Sequence, residues 1–342
     1  MIQVLVVDDS ALVRQTLTQI LERTGEFSVT AASDPFIAEK RIAIRRPDVI
    51  LLDIEMPGMN GLTFLTQLMA SNPSPVVICS ARAGEDASVA MEALARGAVD
   101  VLPKPRLDVR GFLSDAAALV VDAVRAAALS KRTMPSSPST RTAPDQVCAT
   151  VAATWVVAIG ASTGGTEALA RILPALPKDG PPVLVVQHMP EGFTRAFANR
   201  LNDLSSMQVR EAVDGDAIRP GQALVAPGNR HLSAARRGSQ LVAEVTSAPP
   251  VNRHRPSVDV LFKSVAKTFG PRCVGVILTG MGRDGAQGLL DLRSGGAQTI
   301  AQDELSSIVF GMPKEAIALG GVTRIVGLDC VAPTILDLLP RA

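Results

Sequence analysis

Trp155-Val-Val-Ala-Ile159-Gly160-Ala-Ser162-Thr163-Gly164-Gly165-Thr166-Glu-Ala-Leu169 reads as a buried β-strand, a glycine-rich turn and the start of a helix. On either side of it, short β-branched runs alternate with amphipathic stretches, which is the pattern of βαβ units and a parallel sheet. Within residues 147–342 the clearest buried strands are Trp155–Ile159, Val183–Gln187 and Val274–Thr279. Upstream, strands are expected at Val4–Val7, Ser28–Ala31, Val49–Leu52, Val76–Cys79 and Val99–Leu102, each followed by a helical pattern. That five-fold alternation predicts a doubly wound (βα)5 sheet. The stretch between is rich in Pro and Ser and too polar to offset its ordering entropy, so residues 131–146 read as a flexible linker spanning at most roughly 50 Å. The expected architecture is therefore α/β with two domains, residues 1–130 and 147–342, the second also built on a mainly parallel sheet. The 342-residue length agrees, at about 150 residues per domain.

Composition narrows the function. Apolar residues make up 47% and charged residues 20% of the chain, and no stretch has the ~18 uncharged apolar residues of a membrane span. The first nine residues carry no basic segment and end in Asp8-Asp9, which is unlike a secretory signal, so a cytoplasmic protein without membrane insertion is expected. Four scattered cysteines and three histidines supply no zinc constellation. Residues 1–130 hold 12 Lys/Arg against 16 Asp/Glu, and the remainder 22 against 17. Neither balance is that of a nucleic-acid binder, no tyrosine is present, and the 196 residues after the linker carry no basic recognition helix.

Open parallel sheets bind ligands at the carboxyl ends of their strands. In the first domain those ends carry Asp8 and Asp9, Asp53, Ser80 and Lys104. Three clustered carboxylates repel one another unless a cation intervenes, and a hard-oxygen site of this kind suits Mg²⁺. Asp53 then reads as the acceptor of a phosphoryl group, with Lys104 and Ser80 contacting its oxygens. Asp9 or Ser10 also suits the cap of a helix starting near Ala11.

In the second domain Gly160-Ala-Ser162-Thr163-Gly164 fits a nucleophile turn; the chain has Ser162 where a dinucleotide fingerprint needs its second glycine, and it lacks any Gly-Lys-Ser/Thr. His188 follows the strand Val183–Gln187, and Asp284 follows Val274–Thr279. A serine, an imidazole and a carboxylate at one sheet edge supply nucleophile, general base and orienting group. The order Ser, His, Asp differs from that of α/β-hydrolases. Asp284 also suits a cap for a helix over residues 286–293, and His231 and His254 read as loop histidines with no assigned role.

Residues 1–125 resemble the response-regulator receiver domain, on the Asp8-Asp9 pair, Asp53, Ser80 and Lys104-Pro105. The resemblance implies phosphorylation of Asp53 by a histidine kinase; Val101 stands where receivers usually carry a switch aromatic. Downstream, Gly160-Ala-Ser-Thr-Gly-Gly165, Val186-Gln-His-Met-Pro190, Ala226-Pro-Gly-Asn-Arg-His-Leu232, His254-Arg-Pro-Ser-Val-Asp-Val-Leu-Phe262, Leu278-Thr-Gly-Met-Gly-Arg-Asp-Gly285, Gln302-Asp-Glu and Phe310-Gly-Met-Pro-Lys-Glu-Ala316 are similar to the motifs of the chemotaxis protein-glutamate methylesterase (CheB) family. That resemblance implies hydrolysis of glutamate γ-methyl esters and deamidation of certain glutamines on chemoreceptors. It further implies a Ser162-His188-Asp284 triad, a site lined by Thr163 and Met281 with the Met281 N–H as oxyanion donor, and no cofactor for the ester step. The implied partners are methyl-accepting chemoreceptors and the chemotaxis histidine kinase, with recruitment to receptor arrays at the membrane. A catalytically silent, phosphorylation-dependent adaptor is the competing reading.

Overall fold

The computed structural model describes residues 1–57, 59–80, 85–104, 112–130 and 153–340. The chain separates into two compact units, Met1–Arg132 and Thr133–Ala342. The expected linker 131–146 lies outside the described residues.

The first unit holds five parallel strands, β1 (Ile2–Val7), β2 (Phe27–Ala32), β3 (Val49–Asp53), β4 (Val76–Ser80) and β5 (Asp100–Pro103), in the order β2-β1-β3-β4-β5. β3 and β4 are buried along their whole length, which is why their sequences run apolar up to the last residues, Asp53 and Ser80. The helices are α1 (Ala11–Glu22), α2 (Pro35–Ile44), α3 (Gly61–Ser71), α4 (Glu85–Ala95) and α5 (Phe112–Leu129). Ser10 caps α1, its hydroxyl accepting from the Val13 N–H. Leu17 and Leu21 of α1 and Val120 and Val124 of α5 pack with Val4, Val6, Leu51 and Val77 in one core.

The second unit is built on a seven-stranded sheet of parallel pairs: β6 (Val156–Ala161), β7 (Val183–Gln187), β8 (Gln208–Glu211), β9 (Gln222–Val225), β12 (Cys273–Ile277), β13 (Gln298–Gln302) and β14 (Arg324–Val326). Their order is β14-β13-β12-β6-β7-β9-β8. The strand expected over Val274–Thr279 ends at Ile277, because Thr279 turns its backbone and hydroxyl to other partners described below. A hairpin, β10 (His231–Arg237) and β11 (Gln240–Thr246), stands apart as an antiparallel pair joined through Gly238-Ser239, with Gly238 in the left-handed region.

Among the described residues the helices that position this unit's site are α6 (Gly165–Ile172), α7 (Thr194–Leu204), α8 (Val258–Phe269), α9 (Ala286–Ser294), α10 (Met312–Ala318) and α11 (Leu328–Leu338). α8 buries Val258, Leu261, Phe262 and Val265 in a core shared with Ala158, Leu184, Ile277 and Leu289. Gly160 makes that approach possible, since a Cβ there would lie 2.2 Å from Val258 Cγ1. The order places β6 between β12 and β7, with Gly160 level with Ile277 on one side and Val186 on the other. The chain leaves β6 toward β7 and later returns to β12 on the opposite side, so the order in which strands are added reverses between β6 and β12. The first sheet reverses between β1 and β3 in the same way. Such switch points leave a crevice at the strand ends.

Candidate active site

At the switch point of the first sheet, Asp8 follows β1, Asp53 ends β3, Ser80 ends β4 and Lys104 follows β5. Asp8, Asp53 and Ser80 are buried, while Asp9 is exposed. Lys104 Nζ lies 2.6 Å from Asp53 Oδ2 and 3.2 Å from Asp8 Oδ2. The other oxygens are held by backbone: Asp8 Oδ1 accepts from the Ser10 N–H at 2.8 Å, and Asp53 Oδ1 from the Glu55 N–H at 3.1 Å. Asp8 Oδ2 is buried without an aligned hydrogen bond. One ligand oxygen each from Asp8, Asp9 and Asp53 falls within 4.8 Å of the others. Burial, reinforced by the charge of Asp8, outweighs the pull of Lys104 and raises the Asp53 pKa above its ordinary value. Lys104 is half-buried, which alone would lower its pKa, yet Asp53 and Asp8 hold it protonated beyond its usual range. α3 starts hard against this loop, since a Cβ on Gly61 would stand 2.1 Å from the Asp53 carbonyl oxygen.

At the switch point of the second sheet, Ser162 follows β6 and His188 follows β7. The register pairs Ala161 with Gln187, and the His188 N–H donates to the Ala161 carbonyl at 3.0 Å, so the next residues, Ser162 and His188, stand level on neighbouring strands. The Ser162 backbone is fully engaged. Its N–H donates to Thr279 O at 3.0 Å, and its carbonyl accepts from the Gly165 N–H at 2.7 Å and from Gln187 Nε2 at 2.8 Å. The Thr279 hydroxyl donates to the Thr163 carbonyl at 3.0 Å and accepts from the Val309 N–H at 2.9 Å. Gly280 packs on Ser162, for a Cβ there would meet Ser162 Cβ at 2.6 Å. The next N–H, that of Met281, donates to no other described residue, which is the condition of a waiting oxyanion donor. The start of α6 adds a positive helix end beside the serine.

Asp284 is wholly buried and meets His188 at 2.9 Å, Oδ2 to Nε2. Its carboxylate also accepts from the Val258 N–H at 2.6 Å, Ser257 Oγ at 2.8 Å, Asn252 Nδ2 at 2.8 Å and the Asp259 N–H at 3.4 Å. Burial alone would raise its pKa, but the hydrogen bonds and charge of His188, with Asn252 and Ser257, prevail and hold it well below the usual carboxylate range. A deprotonated carboxylate only accepts, so the imidazole proton sits on Nε2. Nδ1 is buried with no hydrogen-bond partner. Through Nε2 the ring is tethered, and through Nδ1 it presents a lone pair.

A family model described as CheB methylesterase matches residues 157–335, and one described as response regulator receiver domain matches residues 4–110. A protein of Anaeromyxobacter dehalogenans named protein-glutamate methylesterase/protein-glutamine glutaminase is 53% identical over 98% of both chains. The chain belongs to the CheB methylesterase family. A relative of the same name from Xanthomonas campestris is 50% identical over 98% of this chain and all of its own. The crystal structure of the Thermotoga maritima CheB methylesterase catalytic domain aligns over 55% of this chain and all of its own, at 36% identity and a TM-score of 0.54.

Several residues of this CheB site escape a reading by strand ends. His254 stacks face to face on His188, with ring centroids 3.8 Å apart and planes 5° off parallel, although its segment reads as loop. His231 opens β10 and is a satisfied core histidine, Nδ1 accepting from the Ser257 N–H at 3.2 Å and Nε2 lying 3.0 Å from the Pro249 carbonyl. Asp284 does not cap the helix that follows it. Gly285 precedes α9 without a side-chain cap, and the carboxylate instead binds the first N–H groups of α8. The Gly238-Ser239 pair between alternating residues was the available sign of the hairpin.

Replacing Asp284 by Asn turns an NH2 donor toward N–H and O–H groups that need an acceptor, at about 1–3 kcal/mol. Because the folded pKa of Asp284 lies below its unfolded value, its contribution is complete above that unfolded value and is lost as pH falls through the folded one. Urea denaturation followed by Trp155, the single tryptophan, should therefore give Asp284→Asn a deficit at pH 7 that narrows below about pH 4. An unchanged deficit on acidification would contradict the assignment.

Proposed function

We propose that residues 147–342 form a serine esterase acting on glutamate γ-methyl esters, that residues 1–130 form the receiver controlling it, and that residues 131–146 tether the two. The activity is phosphorylation-regulated hydrolysis of protein glutamate methyl esters, with deamidation of glutamine as the related reaction. The reading is carried by the His188 imidazole, anchored at Nε2 by a buried carboxylate and open at Nδ1 at the sheet edge that bears Ser162.

In this mechanism Ser162 Oγ attacks the γ-carbonyl carbon while His188 Nδ1 takes its proton. The carbonyl oxygen, now an oxyanion, accepts from the Met281 N–H and from the Thr163 segment at the start of α6. The resulting imidazolium is stabilised by Asp284, and its proton passes to the departing methoxide, giving methanol and a glutamyl ester of Ser162. Water then attacks this acyl-enzyme, His188 taking its proton and returning one to Ser162 Oγ, which frees the glutamate. With glutamine the leaving group is ammonia, and the product is the same. These steps use protein groups throughout.

In the receiver, Asp53 accepts a phosphoryl group, Lys104 pairs with one of its oxygens and Ser80 bonds another. Asp8, Asp9 and Asp53 suit a Mg²⁺, on the strength of three carboxylates facing one ammonium and a buried Asp8 Oδ2 met by that ammonium alone, without an aligned hydrogen bond. The ion would neutralise charge on the incoming group. A phosphoryl group adds about −1.5 to −2 charge, enough to shift a receiver between populations that free or hinder the esterase. Methyl-accepting chemoreceptors are the substrates in this reading, and a chemotaxis histidine kinase is the phosphodonor. The protein works in the cytoplasm at receptor arrays; no described helix is long and apolar enough to cross a membrane.

Ser162→Ala and His188→Ala should each remove most methanol release from methylated receptor, and the double variant should be little worse, because triad members act as a unit. Wild-type turnover by folded Ser162→Ala would overturn Ser162 as the nucleophile, and absence of any turnover by the wild-type protein would leave the adaptor reading in its place. Labelling from a phosphodonor should require Mg²⁺ and vanish in Asp53→Asn; undiminished labelling in excess chelator would remove the cation from the account.

A further inference from the structure

We propose that His254 is a positioning residue for ester hydrolysis: its ring clamps one face of His188, while its own turn holds Asp284 through Asn252. The inference rests on the esterase reading above and adds a residue to it. Three observations carry it. The first is the stacking itself, at 3.8 Å and 5°. Rotation of the His188 ring about its Cβ–Cγ bond sweeps its edges through the slab that His254 fills, so a parallel neighbour at contact distance blocks that rotation. With Nε2 tied to Asp284, the clamp leaves Nδ1 in a single direction.

The second is the turn that delivers the ring. Val251 and His254 exchange both backbone hydrogen bonds, at 2.9 and 3.1 Å, and the residues between them, Asn252 and Arg253, both occupy the left-handed region at φ of 51° and 68°. A non-glycine residue held there is strained and persists only where its surroundings impose it. The third is what the strained turn achieves: Asn252 Nδ2 donates to Asp284 Oδ1 and to Asp259 Oδ2, both at 2.8 Å. One four-residue turn thus touches the base by its last side chain and the acid by its second.

The chemistry of the clamp also suits a ring that gains charge during turnover. Burial, then the nearness of His188, pushes the His254 imidazole down to about 3, against the opposing pull of Asp284. It is therefore neutral near pH 7 and presents a π-face rather than a second positive charge to His188 as that ring becomes imidazolium.

The test uses the full chain with His254→Leu, which keeps bulk without a flat face, and His254→Phe, which keeps the face without ring nitrogens. Methanol release from methylated receptor gives kcat and KM, a fluorophosphonate probe reports Ser162 reactivity, and ¹⁵N imidazole resonances report the His188 tautomer. His254→Leu should lower kcat and probe reactivity by roughly ten- to a hundred-fold with KM unchanged, the scale of lost orientation, and should mix the Nε2–H and Nδ1–H forms of His188. His254→Phe should restore most of the rate and the single tautomer. Leu and Phe variants alike in rate and tautomer, whether both active or both impaired, would overturn the clamp. Failure of the wild-type protein to react at Ser162 would overturn the esterase reading itself, a separate outcome.

Discussion

Taking a carboxylate out of water costs several kcal/mol unless other donors replace its hydration. Asp284 meets that demand with two backbone N–H groups at the start of α8, the Ser257 hydroxyl, the Asn252 amide and the His188 ring. These donors come from the residue after β7, from the segment before α8 and from α8 itself, so the buried charge joins segments far apart in sequence. The same charge fixes which imidazole nitrogen bears the proton. Removing it would disturb both the packing at the start of α8 and the direction in which His188 offers its lone pair.

The two sheets solve the same problem of placement with different chemistry. Each reverses its strand order beside the strand that carries the first functional residue, β1 with Asp8 and β6 with Ser162. In the first unit the crevice concentrates carboxylates around one lysine, so charge remains to be compensated. In the second, every anionic oxygen is already answered by protein donors, and what remains open is a ring nitrogen and the Met281 N–H. The first arrangement suits a phosphoryl group and a cation, the second an ester carbonyl.

Strand positions were legible because buried parallel strands are written as short apolar runs, and the polar residue that ends such a run is conspicuous. Asp8, Asp53, Ser80, Lys104, Ser162 and His188 were all found that way. Asp284 lies seven residues past the end of β12, and only its glycine-flanked setting marked it. Its true partners were hidden. Asn252, Ser257 and His254 act through a turn whose shape depends on two left-handed residues, neither of them glycine, and no local pattern announces that conformation. The short β8, β9 and β14, of three or four residues, escaped for a related reason, and β14, at one edge of the sheet, lacks a fully buried position; in β13 the polar Gln298, Thr299 and Gln302 break the apolar run.

The most direct test of the tethered imidazole is a crystal structure of the protein after reaction with a methyl phosphonate that mimics the tetrahedral ester intermediate. Phosphorus should be bonded to Ser162 Oγ, with a phosphonyl oxygen accepting from the Met281 N–H, Nδ1 of His188 as the ring nitrogen facing Oγ, and Nε2 still on Asp284. A ring turned so that Nε2 faces Ser162 and leaves Asp284 would contradict that arrangement.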